Sequence, residues 1–383
     1  MQATRRNFTF GAMAALLSGC GMGASGGFSA PVRRADAAMP SVPNAGWDAW
    51  VASFKGRAAA QGISPAVIES AFRGAGFLPG VIERDRNQTE FKRSLEDYLS
   101  IAASDERVAK GRSYFAQQRS TLARIEQRYG VEAHVVAAIW GLESFYGERR
   151  GSIPIVSSTS TLAYEGRRGA FFEKQLIAAL QILQNGDTTP ANMTGSWAGA
   201  MGHTQFIPTS YELFAVDFTG DGRRDIWSDD PTDALASTAA YLAKSGWQRG
   251  QSWGGVVGTP GANVPGGRQL QPEVGGPVFV VGRNFDAIKR YNNSDSYAIG
   301  VGHLSDRILG GGPIEGPFPP DQYGLRKDDR IALQRRLTAA GFDTQGADGV
   351  IGPNTRSAIS AYQGRMGLPV TGEPSQALLS RLG

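Results

Sequence analysis

The stretch Val131-Glu132-Ala133-His134-Val135-Val136-Ala137-Ala138-Ile139-Trp140-Gly141-Leu142-Glu143-Ser144-Phe145-Tyr146-Gly147 constrains the fold most. Val135, Ile139, Leu142 and Tyr146 recur at helical spacing, which predicts a mostly buried helix ending at Gly147. Between Glu132 and Glu148 a single acidic residue, Glu143, interrupts it. On a helix Glu143 lies beside Ile139 and Trp140 one turn back and Tyr146 one turn on. A carboxyl group so placed loses hydration when it ionises, which is expected to raise its pKa and suits a general acid. A partly buried structural Glu bonded to backbone is the plainer reading of the same pattern.

The rest of the chain is long enough, at 383 residues, for two or three domains. The 39 basic and 35 acidic residues leave a net charge of only +4, without a basic stripe interleaved with aromatics, so a nucleic-acid partner is not expected. The single cysteine, Cys20, excludes an intrachain disulfide and a Cys/His zinc spacing. It closes a leader in which Arg5-Arg6 and Phe8 precede the short apolar run Gly11 to Leu17. That arrangement reads as an export signal and resembles the twin-arginine type. Leu17-Ser18-Gly19-Cys20 resembles a bacterial lipobox, which implies cleavage after residue 19 and lipidation of Cys20; a plain secretory signal cut after Ala37 or Ala38 is the alternative. Residues 20–43 then form a tether to a membrane, the outer one being favoured because Gly21 stands where Asp would signal inner-membrane retention.

From residue 44 helices dominate. Trp47, Trp50, Val51 and Phe54 mark one face, Ser64-Pro65 opens a second helix, and further helices are expected over Glu90 to Leu99, Glu106 to Tyr129 and Ala170 to Gln184. Gly-rich turns from Trp247 to Phe285 separate Gly255-Val256-Val257 from Val278 to Val281, a small antiparallel sheet. Helices return over Phe285 to Tyr291 and Tyr297 to Leu309. A Gly/Pro linker fills 310–322, and 323–383 forms a compact module of three short helices.

Two further segments carry chemistry. In Met193 to Pro208 small residues allow a ligand close to backbone, where Ser196 and Gln205 could bond it; tight helix packing explains the same residues. In Asp217 to Asp233, Asp217, Thr219, Asp221, the Arg223 carbonyl and Asp225 fall at EF-hand spacing with Gly222 at position six. Ser228 replaces the closing Glu, so Asp233 is expected to supply that ligand. The expectation is a structural calcium loop of modest affinity, with a cation-free acidic turn as the alternative.

Glu143 in Trp-Gly-Leu-Glu-Ser-Phe-Tyr-Gly, the Gly195 to Pro208 segment, the Asp217 loop and Tyr291-Asn292-Asn293-Ser294-Asp295-Ser296-Tyr297 occur in the order of the membrane-bound lytic murein transglycosylase B family, which residues 44–309 resemble. The resemblance implies a mainly α (α+β) chain with a lysozyme-like core, extra helices and a small antiparallel β-region. It implies cleavage of the peptidoglycan glycan strand between N-acetylmuramic acid and N-acetylglucosamine, in the periplasm. It places Glu143 as catalytic acid/base, Ser196 and Gln205 at sugar positions, Tyr241, Tyr291 and Tyr297 as cleft tyrosines, and Arg167-Arg168 against glycan or peptide. His203-Thr204 departs from the family pattern and is expected to alter subsite contacts without touching the acid.

With one carboxyl group, the expected chemistry is proton donation to the leaving oxygen and then proton removal from the muramic acid 6-hydroxyl, giving a 1,6-anhydro end; no cofactor is needed. Glu148, five positions on, reads as a solvated helix-end charge. A hydrolytic muramidase using Asp187 or Asp217 to hold water, or a non-catalytic wall-binding lipoprotein, are the competing functions. In the C-terminal module Leu333-Gln334, Asp348-Gly349-Val350-Ile351-Gly352-Pro353-Asn354-Thr355 and Tyr362-Gln363 resemble a peptidoglycan-binding domain, and a monomer is expected.

Overall fold

The computed structural model describes residues 39–86 and 94–383. The leader, Cys20 and most of the tether lie outside the described residues. The chain forms two compact units, one of residues 39–86 and 107–250, the other of residues 94–106 and 251–383.

The first unit is helical. Ala45–Ala60 starts where the Asn44 side chain accepts from the Trp47 amide at 2.9 Å, and it buries Trp47, Val51 and Phe54. Pro65–Phe72 follows its Ser64 cap as expected. The helix expected over Glu106 to Tyr129 is instead two, Asp105–Gln117 and Arg119–Tyr129, broken at Gln118. No Gly or Pro marks that break. Ala133–Ser144 is buried on nearly all sides.

Ile155–Glu165 is the helix that composition hides. Its run Ser157-Ser158-Thr159-Ser160-Thr161 is polar yet fully buried. Three hydroxyls bond back to helix carbonyls: Thr159 to Ile155 at 2.6 Å, Ser158 to Ile155 at 3.2 Å, and Ser160 to Ser157 at 3.1 Å. The other two accept backbone amides of an incoming segment, Ser157 from Gly76 and Thr161 from Leu78. A buried polar helix is stable only when each hydroxyl has such a partner. Gly169–Asn185 packs along it.

The second unit carries a three-stranded antiparallel sheet, with Phe279–Val281 between Gly254–Val256 and Arg268–Leu270. The Arg268–Leu270 strand was not apparent in the sequence because it is short and mostly exposed. Asp295–Ile308 packs on Leu95–Ala102, and Trp253 sits so close to Gly302 that a Cβ there would lie 2.3 Å from the indole. The helix expected over Glu90 to Leu99 begins at Leu95, residues 87–93 being outside the description.

The three expected helices of the module are Lys327–Ala339, Pro353–Arg365 and Gln376–Arg381, around Leu333, Leu337, Ile359, Tyr362 and Leu378. The motif glutamines clamp its turns. Gln334 donates to Asp348, the Val350 carbonyl and Thr355 and accepts from the Gly349 amide. Gln363 accepts from the Thr371 and Gly372 amides. Arg330, only 1% exposed, donates to the Gly349 and Leu325 carbonyls and pairs with Asp321, Asp97 and Glu96, so it joins the module to the Leu95–Ala102 helix within this unit.

Removing that cation strands three acids around a buried site. Arg330→Ala is expected to destabilise this unit by about 3–5 kcal/mol, read from urea unfolding followed by circular dichroism. A second prediction concerns acid. Burial pushes His134, His203 and His303 below the usual imidazole range, His303 to about 4. Each binds fewer protons folded than unfolded between its folded pKa and the ordinary 6.5. Their contribution is therefore complete above pH 6.5 and is lost as pH falls below it. The thermal midpoint is expected to drop progressively from about pH 7 to about pH 5, and less steeply in His303→Asn.

Candidate active site

Glu143 is the penultimate residue of Ala133–Ser144 and is partly buried. The helix stops at Ser144, not Gly147, because Phe145 (φ 53°) and Tyr146 (φ 60°) are both left-handed. Non-glycine residues rarely adopt that conformation, so tertiary contacts must hold it. The Tyr146 ring lies on Gly141, where a Cβ would come within 2.6 Å of it, and its hydroxyl donates to the Arg107 carbonyl at 3.0 Å. Phe145 is buried beneath the Arg107, Lys110 and Arg149 cations, which stand 5.1, 4.7 and 4.3 Å from its ring centre. Glu143 is thus set at a chain reversal fixed on both sides.

The Met193 to Pro208 segment is laced to that reversal. The Ser144 hydroxyl donates to the His203 carbonyl at 2.5 Å and accepts from the Gly147 amide at 2.8 Å. Gln205 (φ 55°) donates both amide hydrogens, to the Arg150 and Gly202 carbonyls, so its carbonyl oxygen is what it can offer a ligand. Gly151 and Gly195 touch backbone to backbone; a Cβ on Gly151 would lie 2.3 Å from the Gly195 carbonyl. Ser196 closes its own turn, accepting from the Ala200 amide at 3.0 Å and retaining its proton to donate. Tyr241, on Thr232–Lys244, packs its ring against Phe214 and Phe206.

His203 and Thr204 are buried, 4% and 0% exposed. The Trp140 indole donates to His203 Nδ1 at 3.2 Å, and His203 Nε2 lies 2.7 Å from the Ser228 carbonyl. An indole nitrogen only donates and a carbonyl only accepts, so the imidazole is neutral with its proton on Nε2. His203 contacts Trp140 and Ser144, the neighbours of Glu143 on its helix. The sequence marks His203-Thr204 as a departure from the family pattern, but its burial and its partners are tertiary facts.

The remaining acids are already engaged. Glu148, beyond the helix and half-buried, pairs with Lys110 at 2.6 Å, so it is not simply a solvated charge. Asp229 pairs with Arg150, and Asp225 accepts the Trp227 and Ser228 amides. Asp187 is buried and held by Arg224 at 2.6 Å. Asp217 accepts from Gly220, Asp221 and Gly222 amides and the Thr219 hydroxyl.

Arg167 and Arg168, each part-exposed, converge on the buried Asp85: Arg167 Nε donates to it at 2.8 Å and Arg168 Nη2 at 2.7 Å. Tyr291 ends the Arg283–Tyr291 helix, and Tyr297 lies in the first turn of Asp295–Ile308, under the Ser294 cap. These two tyrosines belong to the second unit, whereas Glu143, Arg167, Arg168, Ser196, Gln205 and Tyr241 belong to the first.

Carboxylate oxygens of Asp217, Asp221 and Asp233 lie within 4.8 Å of one another. Asp233, 2% exposed, accepts amides of Phe218, Thr219 and Asp225 and has no cationic partner among the described residues. Burial raises its pKa despite those amides. An all-oxygen set with an uncompensated buried carboxylate fits a hard divalent cation. Thr219 and the Arg223 backbone lie in the same loop, the Arg223 amide donating to Asp221 at 2.9 Å.

Comparison with known proteins accords with this geometry. A family model described as transglycosylase SLT domain matches residues 46–270 and 266–306, and one of a peptidoglycan binding domain matches 326–382. Membrane-bound lytic murein transglycosylase B of Escherichia coli (strain K12) is 31% identical over 241 residues, which span 55% of this chain and 66% of that protein. SltB3 of Pseudomonas aeruginosa, solved in complex with NAG-NAM-pentapeptide, is 44% identical, with a TM-score of 0.69 over 89% of this chain and 100% of that one. Escherichia coli Slt35, solved in complex with calcium, is 26% identical, with a TM-score of 0.59 over 70% of this chain and 93% of that one. With its acid-bearing helix, laced loop and oxygen-lined turn inside the matched span, the chain belongs to the transglycosylase SLT domain family.

Proposed function

We propose that this chain is a lytic transglycosylase that cuts the β-1,4 bond from N-acetylmuramic acid to N-acetylglucosamine in peptidoglycan, leaving a 1,6-anhydro end. One observation carries the reading: Glu143 stands at a rigid chain reversal, while Glu148, Asp187, Asp217, Asp225 and Asp229 each serve a cation or backbone amides. Hydrolysis by the two-carboxylate route needs a second carboxylate as base or nucleophile, and both acids considered for that task, Asp187 and Asp217, are committed elsewhere. A relative 44% identical, SltB3 of Pseudomonas aeruginosa, was solved in complex with NAG-anhNAM-pentapeptide, which carries the anhydro sugar.

The protonated Glu143 donates to the glycosidic oxygen as the C1–O4 bond breaks. The resulting carboxylate takes the proton from the muramic acid 6-hydroxyl while O6 bonds to C1. The proton returns to Glu143 and no water is consumed. The muramic N-acetyl group shields the developing positive centre. Ser196 and Gln205 offer a donor and an acceptor to the sugars, the half-buried Tyr241 provides stacking surface, and Arg167-Arg168, braced by Asp85, meets glycan or an anionic peptide stem; in the second unit Tyr291 is half-buried, while Tyr297, 5% exposed, is a packing residue and not a stacking surface. Residues 44–309 form the catalytic part. Residues 323–383, joined through 310–322, hold the wall and raise the local concentration of strand. The leader exports the chain to the periplasm, where Cys20 carries a lipid. Among the described residues no helix is long and apolar enough to cross a membrane. Calcium in the Asp217 to Asp233 loop is structural: Asp217, Asp221 and Asp233 would hold it with Thr219 and the Arg223 carbonyl. The reaction itself uses no cofactor.

Glu143→Gln is expected to keep the fold and sugar binding but lose about 10²–10⁴-fold in rate on purified sacculi. Mass spectrometry of the released muropeptides should show ends one water lighter than reducing ends; reducing ends alone would establish hydrolysis. For the loop, adding a calcium chelator is expected to lower the thermal midpoint, and Asp233→Asn to abolish that sensitivity.

A further inference from the structure

We infer that His203 is a positioning residue for Glu143: through its neutral imidazole and its carbonyl it fixes Trp140 and Ser144, and so sets where the carboxyl group points. The inference rests on Glu143 being the acid. Trp140 lies three residues before Glu143 on the same helix and Ser144 directly follows it, so the two bracket the acid. His203 holds both, Trp140 through Nδ1 and Ser144 through its own carbonyl. It is itself anchored from the far side by the Ser228 carbonyl at Nε2 and by its amide donating to the Ile226 carbonyl at 3.1 Å.

The geometry leaves little slack. The Trp140 ring is enclosed by Tyr114, Tyr146 and His203, with centroids 5.2, 5.6 and 5.8 Å away. Gly147 passes so near the imidazole that a Cβ would lie 2.4 Å from Nδ1. Arg150 completes the support, donating to the Trp227 and Ser228 carbonyls at 2.8 and 2.7 Å while pairing with Asp229. The contact of Arg150 with His203 Nε2, at 3.3 Å, sets a fixed cation beside the ring and favours the neutral form that Trp140 requires. Lose the imidazole, and a buried indole N–H loses its acceptor and the turn of helix bearing Glu143 can relax. Displacements of about 1 Å in a reacting group can cost on the order of 10²-fold in rate.

The test compares His203→Leu, His203→Gln and Trp140→Phe in the mature protein, acting on soluble uncrosslinked glycan strands. Folding is checked by circular dichroism, and Glu143→Gln is run alongside. His203→Leu is expected to lower kcat by about 10- to 100-fold with KM within about twofold, since the buried His203 acts through Trp140 and Ser144. His203→Gln, which can still accept from Trp140 and donate to Ser228, is expected to recover kcat to within about threefold. Trp140→Phe, which removes the indole donor together with one ring of the side chain, should fall with His203→Leu; if the leucine variant does not fold, the glutamine variant and the imidazole NMR decide the matter. Wild-type kcat in the folded variants, a KM effect alone, or no recovery with glutamine would each overturn the inference. Nitrogen NMR of the imidazole supplies a second readout: the proton must reside on Nε2 at neutral pH, and a proton on Nδ1 would exclude the bond from Trp140. An active Glu143→Gln enzyme would instead defeat the acid assignment, whereas an inactive one beside a normal His203→Leu would defeat only the positioning role.

Discussion

The bond from the Ser144 hydroxyl to the His203 carbonyl ties two segments 59 residues apart into one piece, and the site is built on that tie. A helix ending in two left-handed aromatic residues is unfavourable in isolation. Here Tyr146 is buried against Gly141, and Phe145 lies under three cations, so packing offsets the strain. The reversal lets the chain run on to Arg150 and Gly151, where Gln205 and Gly195 meet it. Catalysis by one carboxyl group that acts first as acid and then as base asks for a fixed position more than for an unusual residue.

The oxygen-lined loop is connected to the same structure. Asp233 and Asp225 fold Asp217 to Ser228 by accepting backbone amides, and the outgoing Trp227 and Ser228 carbonyls receive Arg150. Trp227 also donates to the Thr194 carbonyl, beside the Gly195 turn. A cation held by this loop would therefore stiffen the backbone beside the Gly195 turn.

In the C-terminal module the residues that make its motif recognisable are architectural. Gln334 and Gln363 satisfy turn amides, and Asp348 closes the Gly349 turn by accepting the Val350 amide. Their presence establishes that the module folds; its ligand has to be sought on other side chains. Arg330 illustrates the same division, since a motif reading passes over it while the structure buries it among three acids.

Helix-forming periodicity, capping residues and the order of four motifs were enough to place the buried helix with its solitary Glu143, the EF-hand-like spacing from Asp217, the small sheet and the three-helix module, because each depends on residues near one another in the chain. What local pattern could not contain was any pairing across long separations. The early end of the helix at Ser144 and the Asp85 clamp on Arg167-Arg168 rest on partners distant in the chain, as do two of the five buried hydroxyls of Ile155–Glu165. The plainest case is His203: a lone polar residue in a glycine-rich run by composition, it becomes the support of the acid-bearing helix only once folding brings Trp140 and Ser228 to its two nitrogens.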